Sequence, residues 1–205
     1  MRPILNARWL TGKRGSFEGV VVMRGGRDMD GRTMTYYLRN GLMRVEMTAG
    51  EGEEGMTMIA DPAQGKSYIL MPPQKTYMEF DVGAAIGEAL GEKPPQITKT
   101  GRMETIAGHR CEHWIVQDDD SRSEMCVAKG FGSLMGPPGS GVREPAWYRE
   151  LRREGFFPLR VSEGGEMMME VTGIERKTLD PALFRVPSDY RKFDMPGAGG
   201  IPKRP

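Results

Sequence analysis

The sequence predicts a mostly-β protein, a single domain built on one antiparallel sheet with two or three short helices. Three observations carry this expectation. Thr33 to Thr48 alternates apolar and polar residues on either side of Asn40-Gly41. Short alternating stretches bounded by Gly, Pro and Asp recur along most of the chain. Only two internal stretches change to helical spacing.

The Thr33–Thr48 stretch, TMTYYLRNGLMRVEMT, reads as a β-hairpin. Asn-Gly suits a two-residue type I′ turn, in which both central residues need φ > 0. That turn sets the register. Arg39 faces Leu42, Leu38 faces Met43, Tyr36 faces Val45 and Met34 faces Met47. One face is then wholly apolar, and Tyr37, Arg39, Arg44, Glu46 and Thr48 occupy the other. A slip of one residue would bury the charges.

The other elements follow in order. Residues 1–15 read as a flexible arm. Ser16 to Arg24 is a strand with Phe17, Val21 and Met23 on one face. Met56 to Asp61 and Lys66 to Met71 are paired strands, stopped by Pro72-Pro73 because proline cannot donate to a ladder. Thr76 to Phe80 follows, with Thr76, Met78 and Phe80 on one side. Val82, Ala85, Ile86, Ala89 and Leu90 then share one helical face, ended by Gly91 and Pro94-Pro95.

Ile97 to Thr105, Arg110 to Gln117 and Arg122 to Ala128 are the next strands. A second helix is expected near Pro145, with Trp147, Tyr148 and Leu151 on one face and Gly155 as its cap. Phe157 to Glu163 and Glu166 to Thr172 form a last hairpin across Gly164-Gly165. Asp180 to Phe184 is a helical turn. The expected domain covers 16–193, and 194–205 reads as a disordered Gly/Pro-rich tail.

Composition narrows the function. The formal net charge is +1 over 205 residues. No global field therefore favours nucleic acid, and the basic residues do not cluster with aromatics. No apolar run approaches the ~20 residues of a membrane span. The N-terminal residues lack the apolar core of a signal peptide, so the protein is cytosolic or its export signal lies outside this sequence. Seventeen methionines stand out. They read as adaptable core filling, with a thioether copper(I) site as the alternative. Met167-Met168-Met169 alone would not make such a site, because neighbours in a strand point to opposite faces.

Catalytic signals are thin. No serine sits in a Gly-x-Ser-x-Gly elbow, no carboxylate pair stands out, and the Gly130–Gly141 loop lacks the Gly-Lys-Ser/Thr of a phosphate loop. Asp118-Asp119-Asp120 lacks the ligand spacing of an EF-hand and reads as a solvated turn. With Gln117 to Asp120 as a loop, Cys111 faces Cys126, His113 faces Glu124 and Ile115 faces Arg122. Trp114, Val116, Met125 and Val127 then share the opposite face. A Cys111–Cys126 disulfide is expected, and it argues for an exported protein. Zinc held by His109, Cys111, His113 and Cys126 is the alternative, as are two free thiols. No resident metal or cofactor is expected.

The order of several short motifs adds a resemblance. Phe17-Glu18-Gly19, Tyr37-Leu38-Arg39-Asn40-Gly41 and Arg44-Val45-Glu46 open it. Ile59-Ala60-Asp61, Lys66-Ser67-Tyr68 and Pro73-Gln74-Lys75-Thr76-Tyr77 continue it. Ile106-Ala107-Gly108-His109-Arg110-Cys111-Glu112, then Leu183-Phe184-Arg185-Val186-Pro187 and Tyr190, close it. Together these resemble an uncharacterised family of exported bacterial proteins related to the lipoprotein-carrier (LolA/LolB-like) superfamily. That resemblance implies a strongly curved antiparallel sheet, an unclosed half-barrel, with helices over its concave face. It also implies acyl chains held between sheet and helices.

The expected function is a non-enzymatic periplasmic binding or carrier protein for an apolar ligand, a lipid or a lipoprotein acyl chain. Expected lining residues are Met34, Tyr36, Leu38, Met43, Val45, Met47, Ile86, Leu90, Trp147 and Leu151. The rival expectation is a structural or protein-interaction module of the cell envelope whose apolar face is a filled core.

Overall fold

The computed structural model describes residues 17–48, 55–61, 63–81, 95–117, 121–131, 151 and 154–193. Their strands make one sheet. In chain order these are β1 (Gly19–Gly25), β2 (Thr33–Arg39), β3 (Leu42–Met47), β4 (Met56–Asp61), β5 (Lys66–Met71) and β6 (Thr76–Asp81). There follow β7 (Gln96–Ile106), β8 (His109–Gln117), β9 (Arg122–Lys129), β10 (Phe156–Glu163), β11 (Glu166–Arg176) and the two-residue β12 (Arg191–Lys192). The spatial order is β12-β6-β5-β4-β3-β2-β1-β11-β10-β9-β8-β7. Two antiparallel meanders, β1 to β6 and β7 to β11, therefore meet where β1 pairs with β11. The sheet does not close, and only β12 pairs in parallel, beside β6.

The chain path favours curvature. β6 lies one strand from one edge, and β7 is the opposite edge. In a flat sheet the path between them would span about 48 Å at ~4.8 Å per strand. The chain passes from Asp81 to Gln96, a stretch that reaches only about 50 Å when fully extended. A strongly bent sheet brings the two edges within ordinary reach.

Turn chemistry sets the registers. Arg39 pairs with Leu42, Tyr36 with Val45 and Met34 with Met47, as the Asn-Gly turn requires. Asn40 and Gly41 both have positive φ, 50° and 84°. Ala107-Gly108 and Gly164-Gly165 repeat the same positive-φ pair between β7 and β8 and between β10 and β11. The strands otherwise lie within a few residues of expectation, and β11 continues four residues further, to Arg176.

Among the described residues the buried apolar side chains form three clusters. The largest joins Val21, Met23, Tyr36, Val45, Met58, Phe157, Leu159 and Val171 on one side of the sheet. A second gathers Trp114, Val116, Met125, Val127, Leu151 and Val161. In the third, the C-terminal segment lays Leu179 and Phe184 over Val20. That strap is tied by Arg44 Nη1 donating to the Leu183 carbonyl at 3.2 Å and by the Leu179 amide donating to Glu18 Oε1 at 2.8 Å. Asp180 caps its 3-10 turn through the Ala182 amide. The 3-10 turn Pro181–Phe184 matches the helical turn expected over Asp180 to Phe184, whereas β12 was not expected, because a two-residue strand carries no periodicity.

One register differs from expectation. Gln117 pairs with Arg122, so Cys126 lies opposite His113, and Glu124 opposite Ile115. Gln117 remains in the strand, and its amide donates to the Ser121 carbonyl at 3.0 Å. The expected loop began one residue too early and ended one too early, which moved the pairing by two. A two-residue shift preserves faces, so Trp114, Val116, Met125 and Val127 still share one side.

The expected helix over Val82–Leu90, with Ile86 and Leu90, lies outside the described residues. So does Trp147 of the second helix. Leu151 and Glu154 of that stretch have helical backbone. The expected arm, 1–15, and tail, 194–205, likewise lie outside the described residues.

Candidate functional site

The expected lining residues on the hairpin are brought together. Leu38, Met43, Ala60, Ser67 and Phe80 follow one another across β2 to β6. The next row runs Val21, Tyr36, Val45, Met58, Ile69 and Met78 across β1 to β6. Met34 and Met47 face each other beyond it. Period-2 alternation gives each strand an apolar side, and the registers align those sides into one surface.

This surface is covered. Met43 is 3% exposed, Val45 4%, Tyr36 6%, and Met34 and Leu38 7%. Met47 is partly buried against the same cluster. Burial pushes the Tyr36 phenol up to about 12, and its hydroxyl donates to the Met34 thioether at 3.8 Å. Ser67 is wholly buried in this surface, and among the described residues its hydroxyl has no hydrogen-bond partner. Leu151 does not join it. That residue packs in the Trp114 cluster, with Val116, Met125, Val127 and Val161.

Sequence reasoning missed how far the surface extends. Phe157, Leu159 and Val171 continue it into β10 and β11, and Phe131 stacks edge-on against Phe17 at 5.5 Å. Alternation in β10 is interrupted by a bulge. Pro158 pairs with Val127 but Arg160 with Cys126, so Leu159 is the extra residue.

That bulge places Arg160 in a polar chain beside the apolar surface. Arg160 Nη1 donates to Glu104 Oε1 at 2.8 Å and its Nε to Glu170 Oε2 at 2.6 Å. The Arg102 guanidinium lies 2.7 Å from His113 Nδ1. Arginine only donates, so Nδ1 accepts and Nε2 carries the hydrogen, which it donates to Glu104 Oε2 at 2.8 Å. The Arg160 hydrogen bond, with lesser help from its charge and from His113, holds the Glu104 carboxyl below the usual range against some desolvation.

Cys111 and Cys126 form a disulfide with Cα atoms 5.3 Å apart, within the ordinary range. The bond consumes both thiolates that the zinc alternative needs. His109 stacks edge-on against Phe131 at 4.9 Å. Glu104, His113 and Cys126 have ligand atoms within 4.8 Å of one another. The disulfide and the Arg160–Glu104–His113–Arg102 chain already engage those atoms. A cleft of about 490 Å³ is lined by Arg24, Gly26, Arg27, Glu166 and Met167. Among the described residues no helix is long and apolar enough to cross a membrane.

Comparison with known proteins adds family and fold. The family model described as "Domain of unknown function (DUF4412)" matches residues 17–190. An uncharacterised conserved protein from Thermus thermophilus shares the fold, at TM-score 0.53 and 14% identity, over 88% of this chain and 92% of that one. PNGF-II aligns at TM-score 0.47 and 11% identity, over 87% of this chain and 31% of its own. A putrescine aminotransferase from Pectobacterium atrosepticum is 27% identical over 119 residues, 56% of this chain. The chain spans only 23% of that relative's length.

Proposed function

The chain belongs to the DUF4412 family of domains of unknown function, and we propose that it is a non-enzymatic cell-envelope protein that binds or carries an apolar ligand. The ligand is a lipid or a lipoprotein acyl chain, held against the surface of Tyr36, Leu38, Met43, Val45, Met58 and Ile69. The lipoprotein-carrier superfamily, which the order of motifs resembles, is the analogue, with helices covering the surface. The Cys111–Cys126 disulfide supports export, since such bonds persist outside the reducing cytosol.

One observation carries the reading. The broad apolar surface of an unclosed sheet contains a buried hydroxyl, Ser67 Oγ, without a partner among the described residues. A core filled by apolar side chains leaves such a donor unsatisfied, at a cost of about 1–3 kcal/mol. A ligand with an ester or carboxyl oxygen would accept from it. The second reading, a structural or interaction module with a filled core, is favoured by the low exposure of Met43 and Val45.

Val45→Gln separates the two. In a filled core the new amide lies buried without partners, and stability falls by about 1–3 kcal/mol. In a ligand cavity with access to water the loss is smaller, while uptake of a fluorescent fatty acid drops. Failure of the wild-type protein to take up the probe, with unfolding of the variant, would establish the filled core.

A further inference from the structure

The sheet registers assemble a feature that no single strand contains. Met23 lies opposite Met34, Met34 opposite Met47, and Met47 opposite Met56. Four methionines therefore stand side by side on consecutive strands β1 to β4. Directly paired residues have Cβ atoms about 4.5–5.5 Å apart, well within the reach of neighbouring thioethers. Adjacent residues along one strand diverge, but these residues lie across strands and share a face.

The row is graded in exposure. Met23 is fully buried, Met34 is 7% exposed, Met47 is partly buried and Met56 is 38% exposed. It thus runs from the core to the rim of the sheet. Met56 is one of three large apolar side chains left exposed among the described residues. The row itself holds no carboxylate, imidazole or thiolate. The described chain offers no free cysteine either, since Cys111 and Cys126 are bonded to each other.

We propose that Met34, Met47 and Met56 bind a soft monovalent cation, Cu(I) or Ag(I), at the rim of the sheet. Thioether sulfur selects such ions, while hard and borderline divalent cations need oxygen, imidazole or thiolate. The registers set these three methionines side by side on three consecutive strands. Met56 provides the entry, and Met34 supplies the buried wall, its sulfur held by the Tyr36 hydroxyl at 3.8 Å. Met34 and Met47 also belong to the apolar surface of the acyl-ligand reading, but the silver readout does not depend on that reading.

The test is titration of the oxidised full chain with silver nitrate, followed by calorimetry and by the methyl resonances of ¹³C-labelled methionine. The expected result is one silver ion per chain, with three methyl signals shifting together and no response to zinc. The Met34→Leu, Met47→Leu, Met56→Leu triple variant keeps the apolar volume and should bind at least tenfold more weakly. Met56→Leu alone, at an exposed position that leaves the core intact, should also weaken binding. It serves if the triple variant does not fold. Absence of silver binding by the wild-type protein would overturn the proposal. So would equal binding by Met56→Leu, or a shift in methionine signals outside this row.

Discussion

Two residues report on the account most sharply, one in a turn and one in the core. Gly41 has φ of 84° in the Asn40-Gly41 turn. Alanine resists that conformation, so Gly41→Ala is expected to lower stability by about 1 kcal/mol or more, read as a fall in denaturation midpoint at constant slope. An unchanged midpoint would contradict the turn. Ser67 gives the opposite sign. Removing an unpartnered buried hydroxyl relieves its desolvation cost, so Ser67→Ala should stabilise the ligand-free protein by about 1 kcal/mol. The same change should weaken fatty-acid uptake. Stabilisation with unaltered uptake would remove Ser67 from the ligand site.

At the scale of elements, the β8–β9 hairpin and the bulge of β10 carry the tests. The Cys111–Cys126 bond closes a loop of 15 residues in sequence separation. Replacing both cysteines by serine is expected to cost about 3 kcal/mol in the chain-entropy model. A non-reducing peptide map should show the cross-link directly, and two alkylatable thiols would refute it. Arg160 bridges Glu104 and Glu170 across three strands. Arg160→Leu should destabilise by about 1 kcal/mol, a low figure because the group is partly solvated. Glu104 is held below its ordinary value of 4.5, so its contribution is present above that pH. It is lost as pH falls through the lower folded-state value. The wild-type protein should therefore lose more stability on acidification than Arg160→Leu. Parallel pH profiles would show that the bridge does not act on Glu104.

Much of this was legible in the sequence wherever local rules act alone. The Asn40-Gly41 turn and the alternation of Met34 to Met47 gave the hairpin's register and its apolar face. The Cys111–Cys126 pairing was legible as a shared face, but its register was not. Nothing in Gln117 itself says whether it ends a strand or begins a loop. The polar chain through Arg160 was hidden for another reason. A bulge at Leu159 breaks the period-2 pattern, so counting along β10 assigns the wrong neighbours. The methionine row was illegible along the chain because its members lie on four strands and meet only through three registers. Ser67 carries no signal along the chain, because its isolation within the apolar surface arises only from the aligned registers of β4 to β6.

At the scale of the whole molecule, the described strands form two meanders joined at β1 and β11 in one unclosed sheet. An open sheet of this size must cover its apolar side with something, whether its own side chains or a bound molecule. That distinction is the central claim, and a native mass spectrum of protein purified from the envelope of its own host tests it most directly. The account predicts a population heavier than the chain by the mass of a lipid or acyl chain, released by organic extraction and diminished in Val45→Gln. A spectrum showing only the bare oxidised chain, with no lipid in the extract, would contradict it.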